Sequence, residues 1–536
     1  MIKKPLFLGL AAVAIAGVTL VILHRSAAGT IGECTVSTAP ARIEPDYAAI
    51  VIPPNCAPMN FTIAEKGAGY FVDLHGSRGG SIGIESRSGD ISIPVGKWRR
   101  LLSANRGATV MIDIFAETGE KTWTRFRPIV DTVARDSIDD YLVYRLIPPL
   151  YTLYGKMGIY ERTLSTFAER PLWLNRMSDD NCMNCHTFRN NDPDYMVAHM
   201  RGGAGNGTLV VQAGHAFKVN TATPFNTPAG FPAWHPDGNL IAFSVNTVRQ
   251  FFHAVGDNRE GFDKGSKIIV YSIPANTVTS TPALADRAFL ITEPEWSPDG
   301  RYLYYCRAPQ YPADSIAAYY TKIFYDLMRI PYDAVQDTWG APETILSHEK
   351  TGLSFSFPRI SPDGRFLLCC AMPWGAFPVF RPGGDICLLD LRSMRYRKLD
   401  VNTGAPESFP SWSSRGGWIV FSSKRIDGIC ARPYFSRVDS NGNASKPFLL
   451  PQRDPHFYES FLKTYNLPEF IKKPVGLSPR ALVRAFYDNK HSRNAQLDTK
   501  LAAVVAARQS EKPAAVPGGG GAGEPWGKQG GGGTAH

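Results

Sequence analysis

Cys182, Cys185 and His186 form the one constellation in this chain whose residue types and spacing prescribe a specific chemistry. Two thiols separated by two residues can reach both vinyl groups of one porphyrin, and the histidine directly after the second then falls at its iron. Cys-x-x-Cys-His is the attachment signature of c-type haem. Cys182 and Cys185 are the candidate thioether anchors, and His186 is the candidate proximal iron ligand. One motif predicts one covalently bound haem c. A redox dithiol would want a βαβ context, which the flanking sequence lacks. A zinc site would need two further ligands, and no second cysteine pair supplies them.

Just downstream, "NNDPDYMVAHMRGG" offers candidates for a second iron ligand. The spacing predicts a short helix, with Asp192 as N-cap, Pro193 at the first helical position and Gly202 and Gly203 ending it. Met196, His199 and Met200 would then share one face at i, i+3 and i+4. That face could fold back over the iron, presenting His199 or Met200, or leaving the position open. The choice matters, because methionine ligation raises the reduction potential relative to two histidines.

Thioether attachment takes place outside the cytoplasm, and the N-terminus independently calls for export. "MIKK" precedes an uncharged run from Pro5 to Leu23, close to the roughly 20 apolar residues that cross a bilayer as a helix. Residues 1–30 are expected to be a membrane anchor, with a cleaved signal peptide as the alternative. Lys3 and Lys4 keep the N-terminus inside, so the body faces the periplasm. The expected location is the periplasmic side of the bacterial inner membrane, or the free periplasm if the signal is cleaved. The nine cysteines are read in that light. Cys34 and Cys56 flank the first predicted strand and could bridge. Those in apolar runs read as buried inert thiols. The net charge of +10 is mild for 536 residues, and no basic run interleaves with aromatics, so nucleic acid is not an expected partner.

The elements that must position the haem motif are mainly β. Residues 33–130 alternate with period two and predict a β-sandwich. Residues 131–206 predict a helical or irregular connector carrying the haem motif, because "DTVARDSIDDYLVYRLIPP" spaces its apolar residues helically before two prolines. From 207 to 450 one unit recurs: "FPAWHPDGNLIAFSVN", "EPEWSPDGRYLYYCRA", "FPRISPDGRFLLCCAM" and "FPSWSSRGGWIVFSSK". Each pairs a tight turn with a buried strand, and the repeat predicts a β-propeller of five or six blades. His235 opens one of these turns, a structural role. Residues 451–508 predict C-terminal helices, and the Gly/Pro-rich 509–536 a disordered tail.

Taken together, "VIPPNCAPMNFTI", "DSIDDYLVYRLIPPLY", "GIYERTLSTFAERP", "NCMNCHTF", "MVAHMRGG" and the W-x-PDG turns resemble a family of exported bacterial TolB-like propellers with an embedded cytochrome c motif. The resemblance implies a β-propeller fold and a c-type haem. It also places a histidine at position 199, which favours His199 as the distal ligand, with Met200 as the alternative. The expected function is electron transfer by a tethered monohaem cytochrome whose propeller docks a redox partner or another periplasmic protein. The alternative is a propeller binding module in which the haem is structural or a sensor. A peroxidase-like haem enzyme is the minor alternative, since no acid–base pair is recognisable.

Overall fold

The computed structural model describes residues 25–26, 29–31, 34–119, 122–149, 156–202, 206–252, 259–312 and 316–510. Each Pro-Asp-Gly turn joins the first two strands of an antiparallel sheet. Between Phe289–Trp296 and Tyr302–Pro309 the Gly300 N–H donates to the Ser297 carbonyl at 2.9 Å. Gly300 takes φ of 73°, a left-handed conformation that costs glycine little. The strand after each turn is buried on both faces, because the sheets stack against one another; all seven residues of Phe366–Met372 are buried.

Six such sheets stand in a ring. Their innermost strands are Thr464–Ile471, Cys182–Arg189, Gly230–Trp234, Phe289–Trp296, Ser354–Ile360 and Glu407–Trp412. Each packs on the next, and the last returns to the first, so the circle is complete. The body is therefore a six-bladed β-propeller spanning residues 141–471, numbered here as blades 1 to 6 in the order of those strands. Blade 1 is built from both ends of that span. Tyr141–Ile147, Gly158–Thr163 and Glu169–Leu174 come from upstream, while Thr464–Ile471 returns from the far end to pair with Tyr141–Ile147. Arg145 fastens this seam, donating through Nη2 to Asn466 Oδ1 at 2.7 Å and through Nη1 to the Met183 carbonyl of blade 2 at 2.9 Å.

Several expectations are corrected. Residues 131–206 are not a helical connector: they contain strands, including three of blade 1, and the first two strands of blade 2. The expected helix after the haem motif is the strand Asp192–Arg201, reached through a tight turn at Asn190 and Asn191, whose φ values of 50° and 60° suit a two-residue hairpin. The propeller accordingly begins before residue 207 and ends after 450. Residues 33–130 do not form a plain sandwich. A seven-stranded sheet and a three-stranded sheet share their core with the helix Val95–Ala104, which buries Trp98, Leu101 and Leu102. Of the C-terminal segment, Pro479–Tyr487 and Thr499–Ser510 are helices, but Thr464–Ile471 is the closing strand, and Arg493–Asn494 and Gln496–Leu497 extend blades 2 and 3. None of the nine cysteines is in a disulfide, so Cys34 and Cys56 do not bridge. The apolar run Pro5–Leu23 of the expected anchor and residues 511–536 of the expected tail lie outside the described residues, among which no helix is long and apolar enough to cross a membrane.

Candidate functional site

The six inner strands share a frame that explains where the haem motif sits. Five of them carry a residue with positive φ followed by proline: Phe231 (45°), Glu293 (57°), Phe357 (50°), Phe409 (53°) and Leu467 (51°). All five coincide with a register shift at which the inner strand carries one extra residue. The sixth inner strand breaks register between Asn184 and His186, so Cys185-His186 stands where the others have X-Pro. Phe188 then matches the Trp234, Trp296, Ile360, Trp412 and Phe470 position. A non-glycine residue held at positive φ costs about 1–3 kcal/mol and persists only where the surrounding structure enforces it.

These positions line the central channel. Cys185, His186, Phe231, Pro232, Glu293, Pro294, Phe357, Arg359 and Leu467 surround a cavity of about 20 Å³. Phe231, Phe357 and Phe409 touch in sequence, with ring centroids 6.1 and 4.8 Å apart. Polar groups face them. Glu293 is 3% exposed, accepts the Phe357 N–H at 2.8 Å, and is pushed up to about 8 by burial, with the neighbouring Asp263 adding to the shift. Below it Arg359 approaches Glu295 at 3.4 Å. Glu469 accepts the Phe188 N–H at 2.9 Å and the Thr187 hydroxyl at 3.2 Å, and burial pushes it too to about 8.

His186 is 4% exposed, and neither ring nitrogen reaches a partner at full hydrogen-bond geometry. Burial, reinforced by the Arg145 guanidinium, pushes its pKa down to about 3, although the nearby backbone of Val143 and Leu467 offsets part of the shift. It is a neutral imidazole. Cys185 is equally buried, and Cys182, at the start of the strand, is partly exposed. Thiol, thiol and neutral imidazole in this order are the donors that c-type haem needs. The donor types match the group, but the cavity that Cys185 and His186 border, about 20 Å³, is the size of a water and not of a porphyrin.

The expected distal set is not brought together. In the strand Asp192–Arg201, Met196, Ala198 and Met200 pack with Met183 and Phe188 in the core between blades 1 and 2. Val197 packs the other way, towards blade 3. His186 lies opposite Ala198, whereas His199 lies opposite Asn184 and follows Val197 in parity. The two histidines project from opposite faces of one sheet. His199 is 2% exposed and its Nδ1 bonds the Thr208 hydroxyl at 3.2 Å, while burial and then Arg201 push it down to about 3. Met200 is a core residue on the His186 face. The helical spacing that grouped Met196, His199 and Met200 has no counterpart in a strand, where every second residue shares a face.

No protein family matches the sequence, and no curated protein matches it either. Among solved structures, a protein described as TolB from Agrobacterium tumefaciens is 16% identical, overlaps 59% of this chain and 89% of its own, and gives a TM-score of 0.35. An apocarotenoid oxygenase of Synechocystis is 12% identical over 79% of this chain and 98% of its own, with a TM-score of 0.35. An oligogalacturonate lyase from Vibrio parahaemolyticus is 12% identical over 54% and 85%, with a TM-score of 0.29. Likeness at this level carries no conclusion about activity. The six-bladed fold rests on the closed ring of inner strands.

Proposed function

We propose that this chain is an exported propeller binding module bearing one haem c, with Cys182 and Cys185 as its thioether anchors, His186 on the iron, and the haem serving as a structural element or a sensor. The observation that carries the reading is His186: a buried, neutral imidazole beside the backbone of Val143 and Leu467, on the inner strand of blade 2, immediately after a channel-lining cysteine. When bound, haem supplies a redox-active iron with a sixth coordination position. The protein's own contribution is to bury the ligand, exclude water from its nitrogens, and set the phenylalanine ring of the channel beside it. Burial of Cys185 and His186 favours a sensing or structural role over exchange of electrons across a surface. Export to the periplasmic side of the membrane, tethering by residues 1–30, and a periplasmic protein as the partner belong to the same proposal.

A monohaem electron carrier is the second reading, and the partial exposure of Cys182 favours it, because that end of the motif reaches solvent. Two measurements test these readings. Haem staining after denaturing electrophoresis should persist in the wild type and vanish in Cys182→Ala/Cys185→Ala; staining that survives the double change refutes the assignment. Reduction by a small dye and by a bulky protein donor then separates the two roles. A carrier reduces rapidly with both, a module only with the dye.

A further inference from the structure

A single exposed aliphatic side chain is ordinary on a protein surface, but three of them converge at one end of the ring. Glu407 pairs with Ser423 and Thr464 with Ile147. The connections 424–431 and 461–463 and the exposed Lys156 therefore all lie at the end where the inner strands of blades 6 and 1 begin. There Ile426, Ile429 and Leu462 are 49%, 60% and 75% exposed. Their backbone is tied down. The buried Arg432 guanidinium donates to the Lys463 carbonyl at 2.5 Å and the Phe461 carbonyl at 2.6 Å, and pairs with Asp427 at 3.7 Å. Asp427 in turn accepts the N–H groups of Ile429 and Cys430 at 2.8 and 2.7 Å. One buried arginine thus fixes both segments and keeps three aliphatic side chains turned outward.

The rim is cationic. Lys463 Nζ donates to the carbonyl of the exposed Lys156 at 3.1 Å, and Lys424 opens the blade 6 connection. The carboxylates nearby are engaged: Asp427 by Arg432, Glu169 by the Tyr144 hydroxyl, and Glu459 by His456 at 2.6 Å. Protein interfaces favour aromatic residues, methionine and arginine over lysine. Aliphatic tips ringed by lysine suit an anionic lipid surface instead, where burial of the tips and attraction of the lysines add. The chain also brings a bilayer within reach. The connection that carries Leu462 holds the N-terminal domain, through His456 Nε2 to Asp90 Oδ1 at 2.9 Å and Asn60 Nδ2 to the Arg453 carbonyl at 2.8 Å. From Leu23, where the apolar run ends, the link to Cys34 in that domain reaches at most about 40 Å.

We propose that this end of the ring docks on the bilayer that holds the tether. Ile426, Ile429 and Leu462 enter the headgroup layer of an anionic phospholipid, and Lys156, Lys424 and Lys463 lie against its phosphates. This rests on the tether proposed above. In that orientation the partly exposed Cys182, which opens the inner strand of blade 2, lies at the membrane end of the ring.

The test uses the full chain in vesicles of phosphatidylglycerol and phosphatidylcholine whose acyl chains carry bromine, a contact quencher of tryptophan. Flotation comes first: a chain that floats with no vesicle refutes the tether, and this inference falls with it. With the chain afloat, the fluorescence added by Ile429→Trp should be quenched and that added by Val335→Trp should not, since Val335 is 96% exposed at the opposite end of blade 4. The quenching should weaken in phosphatidylcholine alone, and again when Lys156→Glu and Lys463→Glu are combined with Ile429→Trp. Three results overturn the proposal while leaving the tether intact. Ile429→Trp escapes quenching, as it would if a second copy of the chain covered the patch; Val335→Trp is quenched as strongly; or the quenching ignores both the lipid charge and the lysines.

Discussion

Replacing Glu293 by glutamine isolates the cost of keeping one carboxyl neutral inside the channel. Burial pushes this carboxyl from 4.5 to about 8. The folded chain therefore holds a proton that the unfolded chain releases, and stability falls as pH rises through the window from 4.5 to about 8. Each pH unit within it costs about 1.4 kcal/mol. At pH 7.5 the penalty is three units deep, or about 4 kcal/mol, and at pH 4.5 it is near zero. Glutamine is nearly isosteric, keeps an acceptor oxygen for the Phe357 N–H, and does not titrate. The variant should match the wild type in urea at pH 4.5 and exceed it by about 4 kcal/mol at pH 7.5. An equal gap at both pH values, or a variant less stable than the wild type at pH 7.5, would refute the reasoning.

Two further predictions concern the ring. Ending the chain at residue 463 removes the inner strand of blade 1 and leaves Tyr141–Ile147 without its partner on that side; calorimetry should show the main cooperative transition lost, and a transition of unchanged enthalpy would contradict the seam. Trp418→Ala empties a fully buried site and breaks the bond from Nε1 to Asp136 Oδ2 at 2.9 Å, with Asp136 still held by Arg437; it should cost about 3–5 kcal/mol by denaturant midpoint, and Trp418→Phe distinctly less.

The repeat was legible because its signal is local: Pro-Asp-Gly dictates a turn, and the apolar run after it can only be buried. Of the two blades without that signal, one was legible only as a half-blade in residues 207–223 and the other not at all. Tyr141–Ile147 sits between two strands and is buried on both faces, so its residues lack the alternation that marks a half-buried strand, and helical spacing fits them as well. Asp192–Arg201 was misread for a related reason. Pro193 and Gly202 look like helix punctuation, yet the Asn190-Asn191 pair ahead of them is a hairpin turn, and that was the usable clue. The frame was also on view: Cys-His-Thr-Phe and Leu-Pro-Glu-Phe align with Phe-Pro-Ala-Trp, placing both strands on the channel. At the site, Cys182, Cys185 and His186 follow from spacing within one pentapeptide. The fate of His199 does not, because it depends on which face of a sheet it takes, and one misassigned element reverses that.

The seam of blade 1 also imposes a timetable on the chain. Arg145 and Asn466, which meet there, are 321 residues apart in sequence, so this closure waits for the last propeller strand to emerge and dock. Until then blade 2 has an open flank where Leu467 and Glu469 later cover Cys185, His186 and the backbone of Phe188. On the haem reading proposed above, attachment at Cys185 would have to precede that docking, whereas Cys182 stays partly exposed in the closed ring. On that reading a chain that closes too early would bury Cys185 unmodified, and slower docking of Thr464–Ile471 would lengthen the time in which it is accessible.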